Sequence, residues 1–75
     1  MRAYVFINAQ PRISRDVIGE ISAIAGVKAV HPCWGLPDIV AQAGSGSEVA
    51  LDLIIGQIQA TEGVTETDTH IVIED

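Results

Sequence analysis

The sequence predicts an α+β fold in which two helices lie on one face of a four-stranded antiparallel sheet, assembled from two successive βαβ halves. Three observations carry this. Short β-branched segments alternate with segments whose apolar residues recur at helical spacing. A Gly-Val pair follows each helical segment, at Gly26-Val27 and again at Gly63-Val64. The whole chain has only 75 residues, so neither half can hold a core of its own and both helices must cover one shared sheet.

Tyr4 to Gln10 (YVFINAQ) is β-branched and aromatic and runs into Pro11, which has no N–H for a ladder and closes the first strand. Ser14 is placed to cap a helix, along which Val17, Ile18, Ile21, Ile24 and Ala25 form one apolar face, with Gly26 as its C′ terminator. Val27 to Trp34 (VKAVHPCW) is the second strand, and its Pro32 demands an edge position or a bulge. Gly35-Leu36-Pro37-Asp38 has turn composition and leads into a third strand, Ile39 to Ala43. Gly44-Ser45-Gly46-Ser47 is a loop ending in an N-cap, and Leu51, Ile54, Ile55 and Ile58 stand at i, i+3, i+4, i+7 on the helix behind it. Glu48 and Asp52 fall in its first turns, where the helix dipole favours negative charge. Thr67 to Glu74 (TDTHIVIE) closes the chain as a fourth strand. The order is β-α-β, β-α-β, with a short link between strands two and three; this is the ferredoxin-like βαββαβ sandwich, a single domain over residues 1–75.

Composition sets the function classes. Apolar residues make up 48% of the chain and charged residues 19%, the balance of a folded domain and not of a disordered one. The longest apolar runs, such as Val5-Phe6-Ile7 and Leu53-Ile54-Ile55, fall far short of the roughly 20 residues of a membrane span. No basic segment precedes a long apolar stretch as in a secretory signal, so the expectation is a soluble cytoplasmic protein with no membrane partner. One cysteine, Cys33, cannot make an internal disulfide or a multi-thiolate zinc site, and no cofactor is expected. The net charge is −6, and all four Lys and Arg residues (Arg2, Arg12, Arg15, Lys28) precede residue 29. Phosphate binding draws on clustered cations, so direct contact with nucleic acid is not expected.

The first strand says more. Its alternating sets are Ala3, Val5, Ile7, Ala9 and Tyr4, Phe6, Asn8, both largely apolar, whereas a half-solvated sheet shows one polar face. The helices can cover only one. The expected cover for the other is a second copy, packed sheet on sheet about a two-fold axis.

These residues together resemble a known family. The strand AYVFINA, the helix followed by Gly26-Val27, the G-x-x-D turn Gly35 to Asp38 and the closing run from Gly63 to Glu74 are similar to the effector-binding, or RAM, domain of Lrp/AsnC (feast/famine) transcription regulators, from about Arg2 to Glu74. The resemblance implies a domain that binds a small metabolite, typically an amino acid, and forms a homodimer through its sheet, with dimers joining into a higher ring-like oligomer. It implies that the effector lies between dimers, against the G-x-x-D turn and the closing strand. Carried over residue by residue, that marks Gly35 and Asp38, with His70, Ile71 and Val72 on the last strand. The family's helix-turn-helix has no counterpart before strand one, so the resemblance is to the stand-alone form, a co-regulator of full-length Lrp/AsnC relatives that does not itself bind DNA. Pro37 departs from the family pattern at a position often held by an aromatic.

The chemistry of such a site can be stated from the residues. A zwitterion needs donors for its carboxylate and an acceptor for its ammonium. Backbone N–H groups at Gly35, Leu36, Asp38 and Ile39 supply donors, Pro37 supplies none, the Asp38 carboxylate is the acceptor, and Trp34 could wall an apolar pocket. The competing reading makes Gly35 to Asp38 a plain hairpin turn held by an Asx-type bond. Trp34 fits a core or interface position equally well, and Cys33 suits a buried small hydrophobe. His70 suits an interface histidine.

The rival function is a small ferredoxin-like enzyme of the dimeric α/β-barrel kind, a monooxygenase or isomerase using His31 or His70 as base. Against it, the chain shows no Ser/His/Asp set and no phosphate loop, and Asp68 beside His70 is the one carboxylate neighbour that sequence supplies. An ACT-type binding module would share the fold and ligand class, and acylphosphatase chemistry would have only Arg12 and Arg15 as candidates for its phosphate.

Overall fold

The computed structural model describes residues 1–73. Strand β1 (Arg2–Ala9) leads through a 3-10 turn (Pro11–Ile13) into helix α1 (Ser14–Ser22), then β2 (Val27–Pro32), β3 (Ile39–Gly44), helix α2 (Glu48–Gln59) and β4 (Val64–Val72). The four strands form one antiparallel sheet in the order β2-β3-β1-β4, the ferredoxin-like βαββαβ arrangement.

The inward set of β1, Ala3, Val5, Ile7 and Ala9, is buried beneath the helices together with Ile39, Ala41 and Ala43 of β3. Four alanines among these seven residues let the helices settle close to the sheet. Val17 and Ile21 from α1, and Leu51, Ile54, Ile55 and Ile58 from α2, complete the core, which contains every α2 position that the spacing selects. Each fully buried Ile or Leu contributes about 1.5–3 kcal/mol of transfer free energy.

Several local expectations need correction. Ser14 does not cap α1; it is the first helical residue, Ile13 precedes it without a side-chain cap, and the Ser14 hydroxyl donates to Pro11 O at 3.4 Å. The 3-10 turn begun by Pro11 delivers the chain into the helix instead. Helix α1 ends at Ser22, earlier than its apolar spacing suggests, so Gly26 is not at C′. It turns the chain into β2 at φ +96°. Strand β2 stops at Pro32, and β4 begins at Val64, three residues before the predicted start. Glu74, the predicted last strand residue, lies outside the described residues. Ser47 does cap α2, its hydroxyl accepting from Ala50 N at 3.2 Å. Pro32 is on an edge strand, and β2 also carries a register shift between Val27 and Ala29.

The two halves interlock through their turn glycines. Gly63 has φ +97°, and a Cβ there would come within 2.6 Å of Ile13 Cδ1 and 2.8 Å of Val17 Cγ2. Gly26 meets the side chain of Ile54 in the same way. Each glycine therefore closes on the helical segment of the other half.

The uncovered face is mixed in character. Pairing register places Tyr4, Phe6 and Asn8 of β1 beside Gln42 and Val40 of β3, and beside His70, Asp68 and Glu66 of β4. The apolar alternation of the first strand holds, with Tyr4 37% exposed and Phe6 half-buried. The acids and histidine of β4 border it. Among the described residues no helix is long and apolar enough to cross a membrane.

Gly63→Ala should lower stability by about 1–2 kcal/mol, because alanine resists positive φ and its methyl meets α1. Gly46→Ala, with open space around it, should change the urea midpoint little, and equal midpoints for the two variants would contradict this account.

Candidate functional site

The end of β1 organises the loop that joins β2 to β3. Asp38 is bound there through both its backbone and its side chain. Its N–H points between Ile7 O (3.1 Å) and Asn8 Oδ1 (3.3 Å), and its carbonyl accepts from Cys33 N at 2.7 Å. Its carboxylate Oδ2 accepts from Ala9 N at 3.1 Å. This is no local Asx turn, since the side chain reaches a strand 29 residues away in sequence.

Asn8 joins the same corner to the last strand. Its Nδ2 donates to Glu66 Oε1 at 3.0 Å while its backbone carbonyl accepts from Thr65 Oγ1 at 3.1 Å. The β1–β4 ladder slips at this point, between Asn8 and Ala9, so that Thr65 is the extra residue and its hydroxyl repairs the gap.

Held by this corner, the loop overhangs the uncovered face and leaves a cleft of about 550 Å³ lined by Phe6, Asn8, Leu36, Pro37, Glu66, Thr67 and Asp68. That volume lies within the roughly 300–1,000 Å³ usual for small-molecule sites. One side is apolar and the other carries two carboxylates. Asp68 Oδ2 accepts from His70 Nε2 at 3.0 Å, and the His70 ring stands edge-on to Phe6 with centroids 5.2 Å apart. A smaller cleft of about 210 Å³ opens on the other side of Asp38, among Pro11, Ser14, Ile18, Pro32, Cys33 and Ile39.

No protein-family model and no curated protein sequence matches the chain. Its likeness to known proteins is structural. It superposes on TTHA0845 from Thermus thermophilus with a TM-score of 0.91 at 25% identity, covering 99% of this chain and 94% of that one. AsnC of E. coli gives a TM-score of 0.86 at 18% identity, over 99% of this chain and 51% of that one. The fold is that of an Lrp/AsnC RAM-like domain. The transcriptional regulator NMB0573 from Neisseria meningitidis, solved as an L-Met complex, gives 0.83 at 14% identity over 99% of this chain and 50% of its own. The chain thus spans about half the length of these two regulators.

Within this fold the residues marked from the sequence separate. Leu36 lines the larger cleft, whereas Asp38 faces the smaller one. His70 is next to the larger cleft through Asp68 and Phe6. Val72 is on the same face but at the far end, opposite Arg2, and Ile71 is on the helix-bearing face, opposite Ala3. Gly35 adopts φ +87° with nothing near its missing Cβ, so glycine suits the position by conformation and not by a close approach. Trp34 is fully exposed, which excludes the core position; it follows the end of β2, where no helix covers it. Cys33 is likewise exposed and not a buried hydrophobe, because the strand has ended at Pro32. His31 and His70 are on opposite edge strands of the sheet, so the two candidate bases do not converge.

The cleft is also lined by Phe6, Asn8, Pro37, Glu66, Thr67 and Asp68, none of them marked as a ligand contact from the sequence. Alternation along β1 already put Phe6 and Asn8 on the uncovered face. Their pairing with Asp68 and Glu66 depends on register, which no local pattern reveals.

Asp38→Ala should cost about 1–2 kcal/mol by leaving the buried Ala9 N–H without an acceptor. Asp38→Asn keeps an acceptor oxygen and should recover most of that loss in chemical denaturation. An alanine variant as stable as the parent would deny Asp38 its clamping role.

Proposed function

We propose that the chain is an effector-binding domain of the Lrp/AsnC type, a binding module and not a catalyst, that takes an amino acid or similar metabolite in the cleft beneath Leu36. The observation that carries the reading is where that cleft lies: between the Gly35-to-Asp38 loop and the last strand, in a fold shared with regulators of which one was solved with L-Met. The apolar wall of Phe6, Leu36 and Pro37 suits a side chain. Glu66 and Asp68 are acceptors for an ammonium, in place of Asp38, whose Oδ2 is bound to Ala9 N. The backbone N–H groups at Gly35 and Leu36 are left for a carboxylate, neither holding a hydrogen bond among the described residues. Asp38 and Gly35 then shape the loop, and Trp34 projects from it toward a neighbouring subunit.

The same reading makes the uncovered sheet face the homodimer surface and the exposed loop a contact within a ring of dimers. Tyr4, Phe6, Val40 and Val72 supply apolar area for such a contact, and a net charge of −6 disfavours association with DNA. Regulation would pass through contacts with full-length relatives sharing the same ring surfaces.

Thermal-shift screening of the assembled protein against the twenty amino acids should find at least one that stabilises it, by about 2.7 kcal/mol at a hundredfold excess over Kd. Sedimentation at several concentrations should find a dimer or larger species. An oligomer that no amino acid stabilises would defeat the effector reading, and a monomer at every concentration would defeat the assembly.

A further inference from the structure

Among the described residues, the larger cleft is lined by two carboxylates and by no Lys or Arg. Glu66 and Asp68 are alternate residues on one face of β4, so their side chains leave the strand about 7 Å apart. Each has one oxygen engaged, Glu66 Oε1 by Asn8 and Asp68 Oδ2 by His70. Glu66 Oε2 and Asp68 Oδ1 hold no hydrogen bond among the described residues. None of Arg2, Arg12, Arg15 and Lys28 lines the cleft, and no Lys or Arg follows residue 28. Phe6 adds a ring beside these oxygens, and aromatic faces attract cations.

We infer that the cleft selects an amino acid with a cationic side chain, such as lysine, ornithine or arginine, over neutral and acidic ones. This rests on the effector reading above and specifies its ligand. A neutral zwitterion brings a single ammonium and adds a carboxylate to a site already twice negative. A basic amino acid brings two cationic groups, one for each free carboxylate oxygen, while its α-carboxylate turns toward the loop N–H groups. Its methylene stem has the Phe6, Leu36 and Pro37 wall to lie on. Mating of two uncovered faces would take the carboxylates further from water and strengthen the demand for a compensating cation.

Isothermal titration of the assembled full chain with L-lysine, L-ornithine, L-arginine, L-leucine, L-methionine, L-glutamate and cadaverine tests this. The basic amino acids should bind at least about tenfold more tightly than leucine or methionine, with the margin shrinking as salt rises. Glutamate should bind most weakly. Glu66→Gln and Asp68→Asn, both at exposed positions, should each narrow the lysine-to-leucine ratio about tenfold, with melting curves confirming that the variants fold. Cadaverine has both ammonium groups of a lysine-like ligand without the carboxylate, and should bind more weakly than lysine; equal binding would overturn the amino-acid ligand in favour of a bare diamine. If leucine or methionine binds as tightly as lysine, charge selection is wrong while the effector reading survives. If none of the seven compounds binds, charge selection is wrong, and the screen of all twenty amino acids decides the effector reading separately.

Discussion

The structure depends on the corner where β1 ends. Within three residues, Ile7 and Asn8 together receive the Asp38 N–H, the Asn8 side chain grips Glu66, and the Ala9 N–H is taken by the Asp38 carboxylate. A central strand normally spends its backbone groups on its two neighbours. Here the ladder to β3 has run out and the ladder to β4 has slipped, so the freed groups are satisfied by one loop residue and one side chain. Without that corner the β2–β3 connection would have no fixed path, and the cleft beneath it no roof.

The same constraint explains why one acidic residue serves structure while others remain open to chemistry. Asp38 is spent on backbone donors near the core, whereas Glu66 and Asp68, on an edge strand, each retain an unengaged oxygen facing solvent. Position in the sheet divides the labour among residues of identical type. An acid in a glycine-containing turn invites a binding role on composition alone, yet the partner that matters to it comes from a strand far away in sequence.

The fold was readable because its signals are local and repeated. Helical spacing identified Leu51, Ile54, Ile55 and Ile58, Ser47 announced α2, and Gly26-Val27 marked where β2 begins, while β4 starts at Val64 of the matching pair and not at Thr67. Where a competing local force acts, the reading slipped. Ser14 has capping chemistry, but Pro11 had already begun a 3-10 turn. Ile24 keeps the apolar spacing of α1 and packs on the core, though the helix has ended by then. The site was less legible. His70 could be marked through a family pattern and Leu36 through its backbone N–H, but the cleft itself is assembled by strand register and by a loop folding back over the sheet. Trp34 and Cys33 look like core residues by type and are exposed because the strand that would have buried them stops at Pro32.

That overhanging loop also limits how any second sheet could sit. Leu36 and Pro37 rise above the floor made by Phe6 and Asn8, so a flat counterpart would strike this ridge before touching the β1–β4 end of the floor. Two copies meeting there would have to shift or tilt, which would leave a gap beside the ridge. In such a pairing the step in the surface would keep a doorway open where a featureless sandwich would seal it.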